Sequence, residues 1–168
     1  MTLIDVKDFI VFILPCYVAN ATPVVLKNIF SFKTPIDLRK KFIDGRRVLG
    51  DGKTYEGFIS GIIMGLLIGA CLTYFKLHTL YGSFILSVGA MVGDCIGSFI
   101  KRRFKIPRGR PFPIVDQLAF VVTALLLYNF LVSPVPLEYY VLSVIITIPL
   151  HLFTNWLAYI VKLKEVPW

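Results

Sequence analysis

At 168 residues, 57% hydrophobic and only 17% charged, with a mean hydropathy of +0.76, the chain carries more apolar side chains than a soluble domain of its length can bury, since roughly 45–50% apolar and about 25% charged is usual for soluble domains. Disordered, collagen-like and disulfide-scaffold classes are excluded, and Cys16, Cys71 and Cys95 lie in apolar runs without a C-x-x-C pair, so no zinc site is indicated. The net charge of +8 falls between hydrophobic spans, where it reports topology, and no nucleic-acid partner is expected.

A hydrocarbon core about 30 Å thick demands roughly 20 consecutive apolar residues of a crossing helix. Five stretches meet that demand: 9–30, 58–75, 80–100, 115–132 and 139–161. The expected fold is an all-α polytopic membrane protein with five transmembrane helices, forming a single domain over 1–168.

The first span holds Asn20 between Pro15 and Pro23. Prolines remove backbone hydrogen bonds, which is tolerated at membrane depth only against protein or a polar cavity. The connection 31–55 follows, with Asp44-Gly45-Arg46-Arg47 and Gly50-Asp51-Gly52-Lys53-Thr54. Glycines beside a Lys-Thr pair suit phosphate cradling by backbone amides and an ammonium. This is no Walker A loop, because Arg47 stands where that motif needs Gly and no strand pattern precedes it. The second span carries Gly57, Gly61, Gly65 and Gly69, and the third Gly89, Gly93 and Gly97. A spacing of four puts each series on one helix face, suited to close helix packing within the chain or to a homo-oligomer.

Asp94 is the clearest ionisable intruder within a span, and such residues mark sites or pathways. It lies seven residues, about 10 Å, before Lys101. Ser98 and Lys101 continue a polar stripe from it toward Arg102 and Arg103. The connection 101–113 leads to the fourth span, opened by Asp116 after Pro111 and Pro113; its bland alternative is a helix N-cap. On the last span His151 and Asn155, four apart, either pair or line the same cavity.

The two connections 31–55 and 101–113 hold seven and six of the 18 basic residues, Arg108 among them, and Lys27, Lys162 and Lys164 fall on the same side. The positive-inside rule puts those loops and the C-terminus in the cytoplasm and the N-terminus outside. Localisation is thus expected to be the cell membrane, multi-pass, with the active site facing the cytoplasm. Asn20, Asp94 and Asp116 then lie in one layer beneath the cytoplasmic surface. Mg²⁺ is often held by one or two carboxylates plus water and substrate phosphates. Two carboxylates, a Gly-Lys-Thr loop and a cationic cluster there describe phosphate chemistry on a lipid.

At these residues the chain resembles the archaeal CDP-archaeol synthase family, related to CDP-diacylglycerol synthases. The likeness covers nearly the whole length. It rests on Pro15-Cys16-Tyr17-Val18-Ala19-Asn20-Ala21-Thr22-Pro23, on Asp44-Gly45-Arg46-Arg47 through Thr54 and Gly57, on Gly93-Asp94 through Ser98 and Lys101-Arg102-Arg103, and on Asp116-Gln117-Leu118-Ala119-Phe120. The resemblance implies transfer of CMP from CTP to 2,3-bis-O-geranylgeranylglycerol 1-phosphate, an isoprenoid ether lipid phosphate, with Mg²⁺ as cofactor and membrane lipids as surroundings. By motif, it implies Asp94 and Asp116 as metal ligands and catalytic groups beside Lys101. Asn20, Lys53, Thr54 and Ser98 would hold nucleotide, and Arg46, Arg47 and Arg102 the phosphates. The family's last motif ends in a second Asp where this chain has Ala119. A small ion or solute transporter, with Asp94 and Asp116 lining the path, is the rival expectation; no inverted repeat supports it. CDP-alcohol phosphatidyltransferases need D-G-x-x-A-R, and Val48 after Arg47 breaks that pattern.

Overall fold

Five helices carry the chain in the order α1 (Val6–Leu26), α2 (Tyr55–Tyr74), α3 (Leu80–Arg103), α4 (Val115–Leu131) and α5 (Leu137–Ile160). The computed structural model describes residues 6–27, 29–30, 33–107, 110–163 and 166; Arg108 and Lys164, counted above as cytoplasmic cations, lie outside them. Helices α1, α2, α3 and α5 are long and apolar enough to cross a membrane. α4, at 17 residues, covers about 25 Å. The all-α polytopic reading therefore stands, with shifts at the ends. α1 ends at Leu26, short of the expected 30, and α3 runs on to Arg103, so Lys101, Arg102 and Arg103 form its last turn. Cations there complement the carbonyl end of the helix.

α1 stays helical through both prolines. Pro23 cannot donate to the Ala19 carbonyl. That oxygen instead faces Gly61 of α2, where a Cβ would stand 2.8 Å from it. Removing the side chain lets the Cα hydrogen approach the freed carbonyl. The same logic runs along the bundle. A Cβ on Gly65 would meet Ser87 and the Pro15 carbonyl, one on Gly69 would meet Ser83, and one on Gly89 or Gly93 would meet the α4 backbone at Ala124 or Ala119 and Phe120.

These glycine faces are thus consumed inside one chain, where α1, α2, α3 and α4 come together. The expectation that they join copies in a homo-oligomer is corrected accordingly. Gly89→Ala, whose new Cβ would stand 2.5 Å from the Ala124 Cα, is expected to cost about 1–3 kcal/mol by overpacking, read as a lower Tm in detergent. Gly52→Ala is the control, since nothing lies within 4 Å of its added Cβ.

Phe9, Ile13, Cys16 and Ala19 of α1 pack with Leu86, Ala90 and Met91 of α3 and with Phe120, Val121, Ala124 and Leu125 of α4 in one buried core. α5 flanks it, tied by the 2.7 Å hydrogen bond between the Tyr17 and Thr147 hydroxyls and by the Phe9–Tyr139 edge contact. Its remaining surface exposes Val141, Ile145, Phe153, Trp156 and Ile160, as a lipid-facing helix does.

Candidate active site

The connection between α1 and α2 is a folded platform built on one buried carboxylate. Asp37 turns back on the Arg39 amide, 3.1 Å away, as Asx turns do. Its two oxygens take Arg47 Nε at 3.1 Å and Nη2 at 2.6 Å, and Oδ2 also accepts from the Leu49 and Gly50 amides at 3.0 and 2.9 Å. Burial alone would raise this carboxyl, but Arg47 and the three amides outweigh it and hold Asp37 well below the usual carboxylate range. The same pairing pushes Arg47 up. Gly45 and Gly50, at φ +76° and +93°, take left-handed turns that a side chain would strain.

Arg103 fastens the platform to α3. Its guanidinium sits over the mutually packed Phe42 and Phe99 rings, 4.7 and 4.8 Å from their centroids, and donates to Asp44 at 2.8 Å and to the Arg47 carbonyl at 2.6 Å.

So anchored, the platform delivers Lys53 to Asp94, and the two form an ion pair. Thr54 caps α2, accepting from the Gly57 amide at 3.2 Å, which leaves its hydroxyl proton to donate elsewhere. Lys101 does not continue a stripe along α3 to Asp94, as its spacing suggested. It crosses to α4, where Asp116 Oδ2 accepts from it at 2.7 Å and from the Phe112 amide at 2.9 Å. Nor is Asp116 the helix cap. Gln117 Oε1 takes the Ile114 amide at 3.1 Å, while Ile114 sits at φ +72° in a tight turn closed by the Val115 amide on the Pro113 carbonyl. A β-branched residue is strained there, and the turn aims Asp116 into the interior.

Both ion pairs line one cavity of about 800 Å³ reached by all five helices and both basic connections. This is within the usual size range of small-molecule sites. Asn20, Ser98, Lys53, Thr54, Lys101, Asp94, Asp116, Arg46, Arg47 and Arg102 all contribute to its wall, and His151 and Asn155 reach it from α5 while lying 3.1 Å from each other. Arg47 is engaged by Asp37 and Asp51, and Arg46 by Asp44 and the Arg103 carbonyl. The Arg102 Nε is buried without a partner among the described residues. Lys27, Lys105 and Arg110 also face the cavity, so its lining carries eight lysines and arginines against Asp51, Asp94 and Asp116. Such a surface suits a polyanion.

No group of three or more His, Cys, Asp or Glu among the described residues could hold a metal by itself. Asp94 and Asp116 are nonetheless hard oxygen donors of the right kind for Mg²⁺, which completes its octahedron from water and phosphate oxygens. Each keeps Oδ1 without a partner among the described residues. Ala119 stands in the same wall, its Cβ 3.3 Å from where a Cβ on Gly97 would be, and brings no third carboxylate.

Sequence reasoning missed Asp37, and it named Arg103 only within the basic cluster, without its role in fastening the platform. The Pro35-Ile36-Asp37 turn and a lone acid ahead of Arg39, Lys40 and Lys41 were the available signal for the first; nothing local to Arg103 singled it out from its basic neighbours.

A family model described as CarS-like CDP-archaeol synthase matches residues 2–168. A CDP-archaeol synthase of Pyrobaculum islandicum is 46% identical over 98% of this chain and 99% of its own length. That of Methanocaldococcus jannaschii is 44% identical over 94% of each. A solved structure of an intramembrane enzyme for archaeal membrane lipids biosynthesis superposes with a TM-score of 0.75 at 37% identity, covering 90% of this chain and 94% of that one.

Proposed function

The chain belongs to the CDP-archaeol synthase family, and on that premise we propose that it transfers CMP from CTP to unsaturated archaetidic acid, yielding the CDP-activated ether lipid and pyrophosphate. The observation that carries this reading is the convergence of the helix-borne carboxylates Asp94 and Asp116 with eight cations on one cavity at the ends of apolar helices.

In the reaction, an oxygen of the lipid phosphate attacks the α-phosphorus of CTP, forming one P–O bond. The bond from that phosphorus to the bridging oxygen of the β-phosphate breaks, and pyrophosphate leaves with the electron pair. A lipid phosphate monoester is already anionic near neutral pH, so no side chain need remove a proton. The chain's work is positioning and charge neutralisation. Lys53, with the Thr54 hydroxyl, faces the triphosphate. Arg102, whose Nε has no partner among the described residues, and Arg46 face the phosphates of both substrates. Asn20 and Ser98 supply neutral donors for the nucleotide. Mg²⁺ held by Asp94 and Asp116 would supply further charge neutralisation at the triphosphate. The isoprenoid tails would lie against the exposed apolar side chains of α5, beside His151 and Asn155.

The basic connections support placing this cavity at the cytoplasmic face, with the N-terminus outside. Purified protein incubated with labelled CTP, Mg²⁺ and the ether lipid phosphate is expected to form labelled CDP-lipid, with stoichiometric pyrophosphate and no product without lipid. An ester phosphatidic acid in a parallel reaction reports how far the enzyme distinguishes the linkage. The transporter reading would need solute flux in vesicles without CTP turnover.

A further inference from the structure

We propose that Lys53 and Lys101 are built-in counter-cations that hold a divalent metal off Asp94 and Asp116 until a nucleoside triphosphate draws both ammonium groups onto its phosphates. This rests on the cavity being the CTP site. The two carboxylates sit on different helices, α3 and α4, yet each is met by one lysine from another element: the platform supplies Lys53 and the last turn of α3 supplies Lys101.

In each pair the ammonium occupies Oδ2, and Oδ1 has no partner among the described residues. A bare divalent cation must therefore displace or crowd an ammonium already bonded, within a lining where cations outnumber carboxylates. A triphosphate reverses that field. A lysine has a compact charge on a flexible four-carbon stem, so it can swing from carboxylate to phosphate, as a fork-shaped guanidinium cannot do as freely. Metal binding thereby becomes contingent on nucleotide, and by linkage each strengthens the other.

The probe is Mn²⁺ alone, its binding to detergent-purified protein read by electron paramagnetic resonance without nucleotide. Wild type is expected to bind it weakly, and Lys53→Met and Lys101→Met each about tenfold more tightly, the effect of removing a cation in contact with the ligand carboxylate. Lys53→Arg and Lys101→Arg should stay near wild type. Arg102→Met, which removes a cavity charge that pairs with neither carboxylate, should change the affinity by less than about twofold.

Dialysis of labelled CTP with saturating Mn²⁺ or with EDTA should show strong metal–nucleotide coupling in wild type and reduced coupling in the methionine variants. Should either methionine variant fail to elute as a folded monodisperse species, the glutamine variant at that position takes its place. Unchanged or weaker Mn²⁺ binding in the lysine variants, or an equal gain in Arg102→Met, would overturn the exchange. Failure of the CTP reading is distinguishable: wild type would then make no CDP-lipid and bind no CTP, whatever the Mn²⁺ result.

Discussion

Asp94→Asn and Asp116→Asn are each expected to reduce CDP-lipid formation by a factor of about 10² or more, the scale on which removing a charge-stabilising group from a reacting centre is felt. Both substitutions keep the shape of the side chain and remove the charge. At Asp116 the Asn oxygen can still accept from the Phe112 amide, so the start of α4 stays in place. The kinetic signature is specific. The proposed CTP cavity is rich in cations, and removing a carboxylate from it would free Lys53 or Lys101 for phosphate. The loss should therefore appear in kcat, with KM for CTP unchanged or lower. A rise in KM with kcat preserved would mean that these carboxylates only shape the nucleotide site. Excess Mn²⁺ should not rescue either variant, because an amide is a poor replacement for an anionic ligand.

Asp37→Asn should be the second large effect, although Asp37 does not line the cavity. Its carboxylate, fully buried, pairs with Arg47 and accepts from three amides. Arg47 is partly exposed and keeps Asp51, so the loss is the cost of leaving buried donors without their acceptor, about 1–3 kcal/mol. That cost falls on the 33–54 platform rather than on the helices, which have their own core. Trypsin cleavage between Lys40 and Arg47 should accelerate strongly while the helical content in detergent stays as in wild type. Activity should fall with it, because Lys53 loses its anchored approach to Asp94.

The pH dependence has a defined sign. The folded Asp37 carboxyl titrates below its unfolded value, so its contribution is fully present above the ordinary carboxylate pKa of about 3.9 and disappears as pH falls through the lower folded value. Platform protection in wild type should therefore be flat from about pH 5 to 8 and decline only in stronger acid.

Much of the fold was legible because membrane solvation imposes a simple length rule on apolar runs. The errors sit where that rule is silent. Hydropathy could not see that α1 would end at Leu26 or that α3 would carry its cations as a last helical turn, since both ends lie where polar surroundings begin. The glycine faces were visible, but a repeat of small residues does not say which helix fills it. Only the contacts with Ser83, Ser87, Ala124 and the α1 carbonyls assign them to the chain's own packing.

At the site, intramembrane Asp94 stood out because charge is costly there. Its partner did not. Along one helix the natural candidate was Lys101, but the observed Lys53–Asp94 pair depends on how the connection between α1 and α2 folds back, and the Lys101–Asp116 pair on the turn that opens α4. The fold of that connection is set by Asp37, whose role rests on contacts with residues up to 13 positions away, beyond the reach of local periodicity.

The most direct measurement is anomalous diffraction from crystals grown with CTP and Mn²⁺. The expected result is a metal peak bonded to carboxylate oxygens of Asp94 and Asp116 and to the triphosphate, with the Lys53 and Lys101 ammonium groups moved onto phosphate oxygens. A metal bound to the nucleotide at a distance from both aspartates, with the two lysine–aspartate pairs intact, would contradict it.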